Sequence, residues 1–167
     1  MRESKSCFFI GHRDSDTEIY PSLLAEVERH VTEYGVTDFF VGHYGRFDRM
    51  AAQAVKEVKK CHPEVRLMLV LPYHPAVRPI ETPKGFDGTY YPWEDERIPK
   101  RLAIIKTNQR MVDTCDYLIA FAWHFFGGSG QIVEYARKQE AKGSIHVTNL
   151  AVKPVASNWP EKLQKHP

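Results

Sequence analysis

Apolar and polar positions in this chain alternate in blocks rather than singly. Cys7-Phe8-Phe9-Ile10 is a continuous apolar run that stops at Gly11, the pattern of a central strand buried on both faces. A helix is predicted over about 21–34, with Leu24, Val27, Val31 and Tyr34 on one face, Pro21 in its first turn and Gly35 closing it. The cycle repeats. Asp38-Phe39-Phe40-Val41 is a second strand, Gly42-His43-Tyr44-Gly45-Arg46-Phe47-Asp48 a loop, and the following helix, to about Lys60, buries Ala51, Ala54, Val55 and Val58. A third apolar strand covers 65–71.

Regularity stops over 72–99. Six prolines fall there, with Tyr73, Phe86, Tyr90, Tyr91 and Trp93 between them, so the stretch is neither a long helix nor a central strand. Two readings stay open: an excursion beside a site, acting as lid or oligomer contact, and a surface loop pinned by its own aromatics. A helix resumes over 100–114, with Ile104, Asn108, Met111 and Cys115 along one line and Leu102, Ile105 and Val112 beside it. Tyr117-Leu118-Ile119-Ala120-Phe121-Ala122 is the fourth strand; a glycine turn, Phe126-Gly127-Gly128-Ser129-Gly130, leads into a helix to about Ala141, and Ile145-His146-Val147 closes the set.

Five strands alternating with helices predict an α/β fold: a single Rossmann-like, doubly wound domain over 1–150, with a mainly parallel five-stranded sheet in the order 3-2-1-4-5 and helices on both faces. Residues 151–167, with Pro154, Trp159 and Pro160, form a C-terminal extension. In such a sheet the order reverses between the first and fourth strands, and ligands bind at that point, outside the carboxyl ends. The turns at Gly11-His12-Arg13 and Phe126 to Gly130 then flank one crevice, with Gly42 to Asp48 next to it.

Such a convergence gives the turns a chemistry. A glycine turn opening a helix is an anion seat, because free N–H groups and the helix dipole face the turn and no Cβ blocks a phosphate; its plain alternative is a turn that lets the chain double back. Arg13 suits a bidentate pair with phosphate. Asp48 either accepts from a ribose hydroxyl or favours its own helix dipole. His12 and His43 are hydrogen-bonding or proton-transferring groups. Trp123, Phe125 and Phe126 stack a base or fill space beneath the long loop.

Composition narrows the rest. Across 167 residues, 43% are apolar, 26% charged and the net charge is +2, without a run of Lys or Arg that would call for nucleic acid or a membrane surface. Cys7, Cys61 and Cys115 lack zinc spacing and are expected as reduced thiols. Asp14 with Asp16 is the nearest approach to a cation site, and neither a metal nor a cofactor is expected. With no leader and no membrane-length apolar segment, the expected setting is the cytoplasm.

Three motifs in order resemble a known superfamily. Gly11-His12-Arg13, Gly42-x-x-Gly45-x-Phe47-Asp48 and Gly127-Gly128-x-Gly130-x-x-x-Glu134 together are similar to the SLOG superfamily, Rossmann-like domains related to the LOG phosphoribohydrolases that activate cytokinins. The similarity extends to its small bacterial members with GHR and GxFD loops and a run like Met111-Val112-Asp113-x-x-Asp116-Tyr117-Leu118-Ile119, and covers about 7–149. It implies binding of a nucleotide or derivative, either ADP-ribose-like or a nucleoside monophosphate, as a sensor or sequestering module. It implies Gly11, His12, Arg13, Gly42, Gly45, Phe47, Asp48, Gly127, Gly128, Ser129, Gly130 and Arg110 as ligand-binding candidates.

The enzymatic branch splits an N-glycosidic bond with an arginine on the helix before the fourth strand and a glutamate in a PGGxGTxxE turn. Glu134 falls on the glutamate, which makes it the catalytic candidate of a phosphoribohydrolase or deoxyribosyltransferase-like enzyme. Phe126 stands at the proline, Gln131 at the threonine and Thr107 at the arginine, so Lys106 or Arg110 would have to substitute. A third reading is a structural or interaction domain with a degenerate pocket. Relatives commonly pair through helices near the site, so a homodimer is a further implication.

Overall fold

The computed structural model describes residues 4–94, 98–124 and 127–151. Strands β1 (Lys5–Gly11), β2 (Val36–Val41), β3 (Arg66–Val70), β4 (Gly88–Tyr90), β5 (Tyr117–Phe121) and β6 (His146–Asn149) alternate with helices α1 (Tyr20–Thr32), α2 (Arg46–Lys59), α3 (Lys100–Thr114) and α4 (Gly128–Ala141). All strand pairs are parallel, in the order β4-β3-β2-β1-β5-β6. This is the Rossmann-like class, and β1 lies between β2 and β5 where the winding reverses.

The central strand is buried on both faces, as its unbroken apolar run requires. Cys7 and Phe9 point to the layer holding Leu23, Val27, Ala51 and Val55 from α1 and α2. Phe8 and Ile10 point to the layer holding Met111, Val112, Ile132 and Ala136 from α3 and α4. Alternation along one strand thus fills two cores.

The sheet has six strands, not the expected five. The sixth, β4, comes from within the proline-rich stretch and pairs with β3 as Met68↔Gly88, Leu69↔Thr89 and Val70↔Tyr90. Gly-Thr-Tyr carries no apolar periodicity because it is a three-residue edge strand with neither face fully covered. Asp87 ties this stretch to the body, meeting Lys59 Nζ of α2 at 2.6 Å with both carboxylate oxygens and accepting from Leu67 N–H of β3 at 2.8 Å, while Arg78 lies 4.3 Å over the Tyr73 ring within the stretch itself.

Two helix faces also differ from expectation. In α1 the fully buried residues are Leu23, Val27 and His30, while Leu24, Val31 and Tyr34 are partly buried. In α3 the inward line is Ala103, Thr107, Met111 and Val112, which leaves Ile105 45% exposed. Ile104 and Asn108, expected on the buried line, are partly buried and border the cavity described below together with Thr107. Cys7 and Cys115 are buried free thiols and Cys61 is exposed. The proposed extension beyond Ala151, with Trp159, lies outside the described residues, as do Phe125 and Phe126.

Candidate functional site

The loops that follow β1, β2 and β5 meet at the carboxyl edge of the sheet, where they border a cavity of about 400 Å³. That size is in the range of small-molecule sites. β1 contributes Ile10 and Gly11, and its loop His12, Arg13 and Asp14; Gly42, Tyr44 and Asp48 come from the second loop; Val70 and Pro72 from the end of β3; Ile104, Thr107 and Asn108 from α3; and His124, Gly128 and Ser129 from the β5–α4 turn.

The loops are locked together by backbone and glycine geometry. Arg46 N–H donates to Arg13 O at 2.9 Å, and Ser129 Oγ donates to Gly11 O at 2.8 Å. A Cβ on Gly11 would lie 2.2 Å from Phe47 Cγ, and one on Gly45 would lie 2.7 Å from Arg13 Cα. These two glycines therefore permit close packing, and Phe47, 1% exposed, is the core residue on which the first loop rests. Gly127, with φ +87°, supplies the left-handed turn that starts α4.

Two ionisable groups have specific environments. Asp48 Oδ2 accepts from Tyr44 N–H at 3.0 Å, and burial pushes its carboxyl up to about 6 against the opposing pull of that bond and of Arg13. His12 is buried, and its Nε2 accepts from Trp123 N–H at 3.1 Å, so the neutral ring carries its proton on Nδ1. Its ring stacks on His124 at 4.0 Å and meets Trp123 edge-on at 4.0 Å. Burial first, then the His124 neighbour, hold His12 below the ordinary imidazole value. The Arg13 guanidinium makes no ion pair with a described residue and is exposed at the rim.

Of the candidates read from the motifs, Gly11, His12, Arg13, Gly42, Asp48, Gly128 and Ser129 line the cavity. Gly45, Phe47, Gly127 and Gly130 do not; they support the loops that do. Arg110 is exposed on α3, with its guanidinium 5.4 Å over the Trp93 ring, and Glu134 is exposed on α4 and outside the lining. Thr107, at the arginine position of the enzymatic branch, lines the cavity and accepts from Trp93 Nε1 at 3.3 Å. His43 is exposed and stacked on Tyr44 at 4.5 Å.

The motifs missed Tyr44, Pro72, Ile104, Thr107, Asn108 and His124. The polar pair Thr107-Asn108 on the inward side of a helix was the one signal available. Among the described residues no group of three or more His, Cys, Asp or Glu is arranged to hold a metal. No helix among them is long and apolar enough to cross a membrane.

These features define a Rossmann-like α/β domain with a ligand-sized cavity at the switch point of its sheet. Among solved structures the chain is similar to the Moco carrier protein from Chlamydomonas reinhardtii, with TM-score 0.52 and 16% identity over 91% of this chain and 79% of that one. It is also similar to DNA processing protein A (DprA) from Streptococcus pneumoniae, with TM-score 0.50 and 12% identity over 87% of this chain. The chain spans 59% of the DprA structure's length. At these identities the likeness is one of fold. No model of a known protein family matches, and no curated protein sequence does.

Proposed function

We propose that this chain is a SLOG-type domain that binds a nucleotide or nucleotide derivative, ADP-ribose-like or a nucleoside monophosphate, and holds it without turnover. One observation carries the reading: a single cavity is bordered by the α4 N-terminus, the unpaired Arg13 and the Asp48 carboxyl, which come from three separate loops. The helix N-terminus and Arg13 suit a phosphate, and the carboxyl suits the vicinal hydroxyls of a ribose. A Moco carrier among the proteins of like fold is in keeping with holding rather than converting a ligand.

Binding is favoured over glycosidic cleavage by the place of Glu134. A carboxylate that assists loss of a base must stand at the anomeric carbon, whereas Glu134 is exposed and outside the cavity lining. Incubation with AMP, GMP and ADP-ribose, followed by thermal melting and chromatography, tests the proposal. A raised melting temperature with intact ligand is expected. Release of free base that disappears in Glu134→Gln would establish the enzyme instead, and no response to any of the three would leave the degenerate-pocket reading.

A further inference from the structure

The cavity is elongated across the sheet. Its polar end is where the α4 N-terminus meets β1, with Ser129 bonded to Gly11 O, while Val70 ends β3 and Pro72 follows it, two strand spacings from β1. That is about 10 Å, more than a phosphate group alone would fill. The β3 side is apolar, with Val70 and Pro72 joined by Ile104 of α3. A planar, weakly polar group fits there, with an anionic group at the other end.

Four of the polar side chains in the cavity are already engaged within the protein, and the charged Arg13 and Asp14 belong to the β1 loop at the end that takes the anionic group. Ser129 Oγ donates to Gly11 O, Thr107 Oγ1 accepts from Trp93, His12 Nε2 accepts from Trp123 N–H, and Asp48 Oδ2 accepts from Tyr44 N–H. Asn108 differs. It lies one helical turn after Ile104 on the same face, is half-buried in the cavity wall, and its carboxamide makes no hydrogen bond with a described residue. A carboxamide held in the cavity wall without a partner inside the protein keeps its donor and acceptor available together for a ligand that displaces water from them.

We infer that Asn108 is the specificity-determining residue for the ligand's heterocycle, pairing its carboxamide with an edge that presents an adjacent donor and acceptor. An aminopurine or lactam edge has this arrangement, and a bidentate amide pair is the standard way to read one. The inference rests on the nucleotide reading above and adds the direction of the ligand: heterocycle towards β3 and α3, phosphate towards Arg13 and Gly128.

Calorimetric titration of the parent chain, Asn108→Leu and Asn108→Asp with AMP, GMP and ribose 5-phosphate tests it. In the parent chain, AMP or GMP binds at least tenfold more tightly than ribose 5-phosphate. Asn108→Leu removes about tenfold of that gap and leaves ribose 5-phosphate affinity within twofold, which also shows that the variant is folded. Asn108→Asp offers two acceptors in place of one donor and one acceptor, so it moves the preference towards GMP, whose edge presents two adjacent donors. An unchanged gap in Asn108→Leu, or a parallel loss for all three probes, overturns the inference while the nucleotide reading stands. Failure of all three to bind the parent chain overturns both.

Discussion

At pH 8 the Asp48→Asn variant is expected to be more stable than the parent chain and, at the same time, a poorer nucleotide binder. Burial raises the Asp48 carboxyl from 3.8 to about 6 in the folded chain, a difference worth about 3 kcal/mol against the ionised folded state. The sign follows from proton counting: between those two values the folded chain holds more protons than the unfolded chain, so stability falls as pH rises and the loss is complete above about 6. Asparagine removes the buried charge and keeps an acceptor for Tyr44 N–H, now 3.0 Å away. The attraction of Arg13 is already contained in the raised value, but the amide brings a second buried donor that a protonated carboxyl lacks, which costs about 1 kcal/mol. A net gain of about 2 kcal/mol remains, equivalent to a rise of roughly 4–8 °C in a chain of this size.

The gain should shrink to well under 1 kcal/mol near pH 4, where the parent carboxyl is protonated in the folded chain. Melting curves of both proteins from pH 4 to pH 8 give the profile directly. Titration of AMP at pH 8 should meanwhile show about a tenfold loss or more, since a hydrogen bond to a charged acceptor contributes about 1.5–3 kcal/mol. A variant less stable than the parent at pH 8, or a gap that does not change with pH, would refute the buried-carboxylate argument. Unchanged AMP affinity would remove Asp48 from the site.

Further expectations concern other parts of the same geometry. Arg13→Ala should weaken AMP about tenfold to a hundredfold and flatten the salt dependence of binding, read by titration at two ionic strengths. Gly11→Ala places a methyl 2.2 Å from the Phe47 ring, and the overpacking should destabilise by about 1–3 kcal/mol in urea unfolding. His30 is fully buried with Nδ1 2.8 Å from Glu26 O, and burial above all lowers it to about 4. The folded chain therefore refuses a proton that the unfolded chain accepts below 6.5, and stability falls as pH drops from 6.5 towards 4. Because Asp48 acts in the opposite sense over nearly the same window, the loss of about 2 kcal/mol between pH 7 and 5 should be measured in the Asp48→Asn background, where His30→Leu should abolish it.

The fold class was legible because its determinants are local. Cys7 to Ile10, Phe39 to Val41 and Leu118 to Ala120 are strands that must be buried on both faces, and an unbroken apolar run is what double burial demands of a sequence. From those strands and the handedness of crossovers followed the reversal between β1 and β5, and with it the meeting of the glycine loops. Gly88-Thr89-Tyr90 escaped notice because an edge strand of three residues has no burial pattern to display.

The cavity itself depended on contacts distant along the chain. Arg13 against Gly45, Ser129 against Gly11 and Trp93 against Thr107 are separated by 14 or more residues, and no periodicity encodes them. For the same reason the motif made Glu134 the catalytic candidate and left Asn108 as one position on a helix line, although Glu134 is exposed and outside the lining and Asn108 borders the hollow. Which side of a helix meets a void is set by how neighbouring layers fail to fill it, and that is a property of the assembled packing rather than of any single segment.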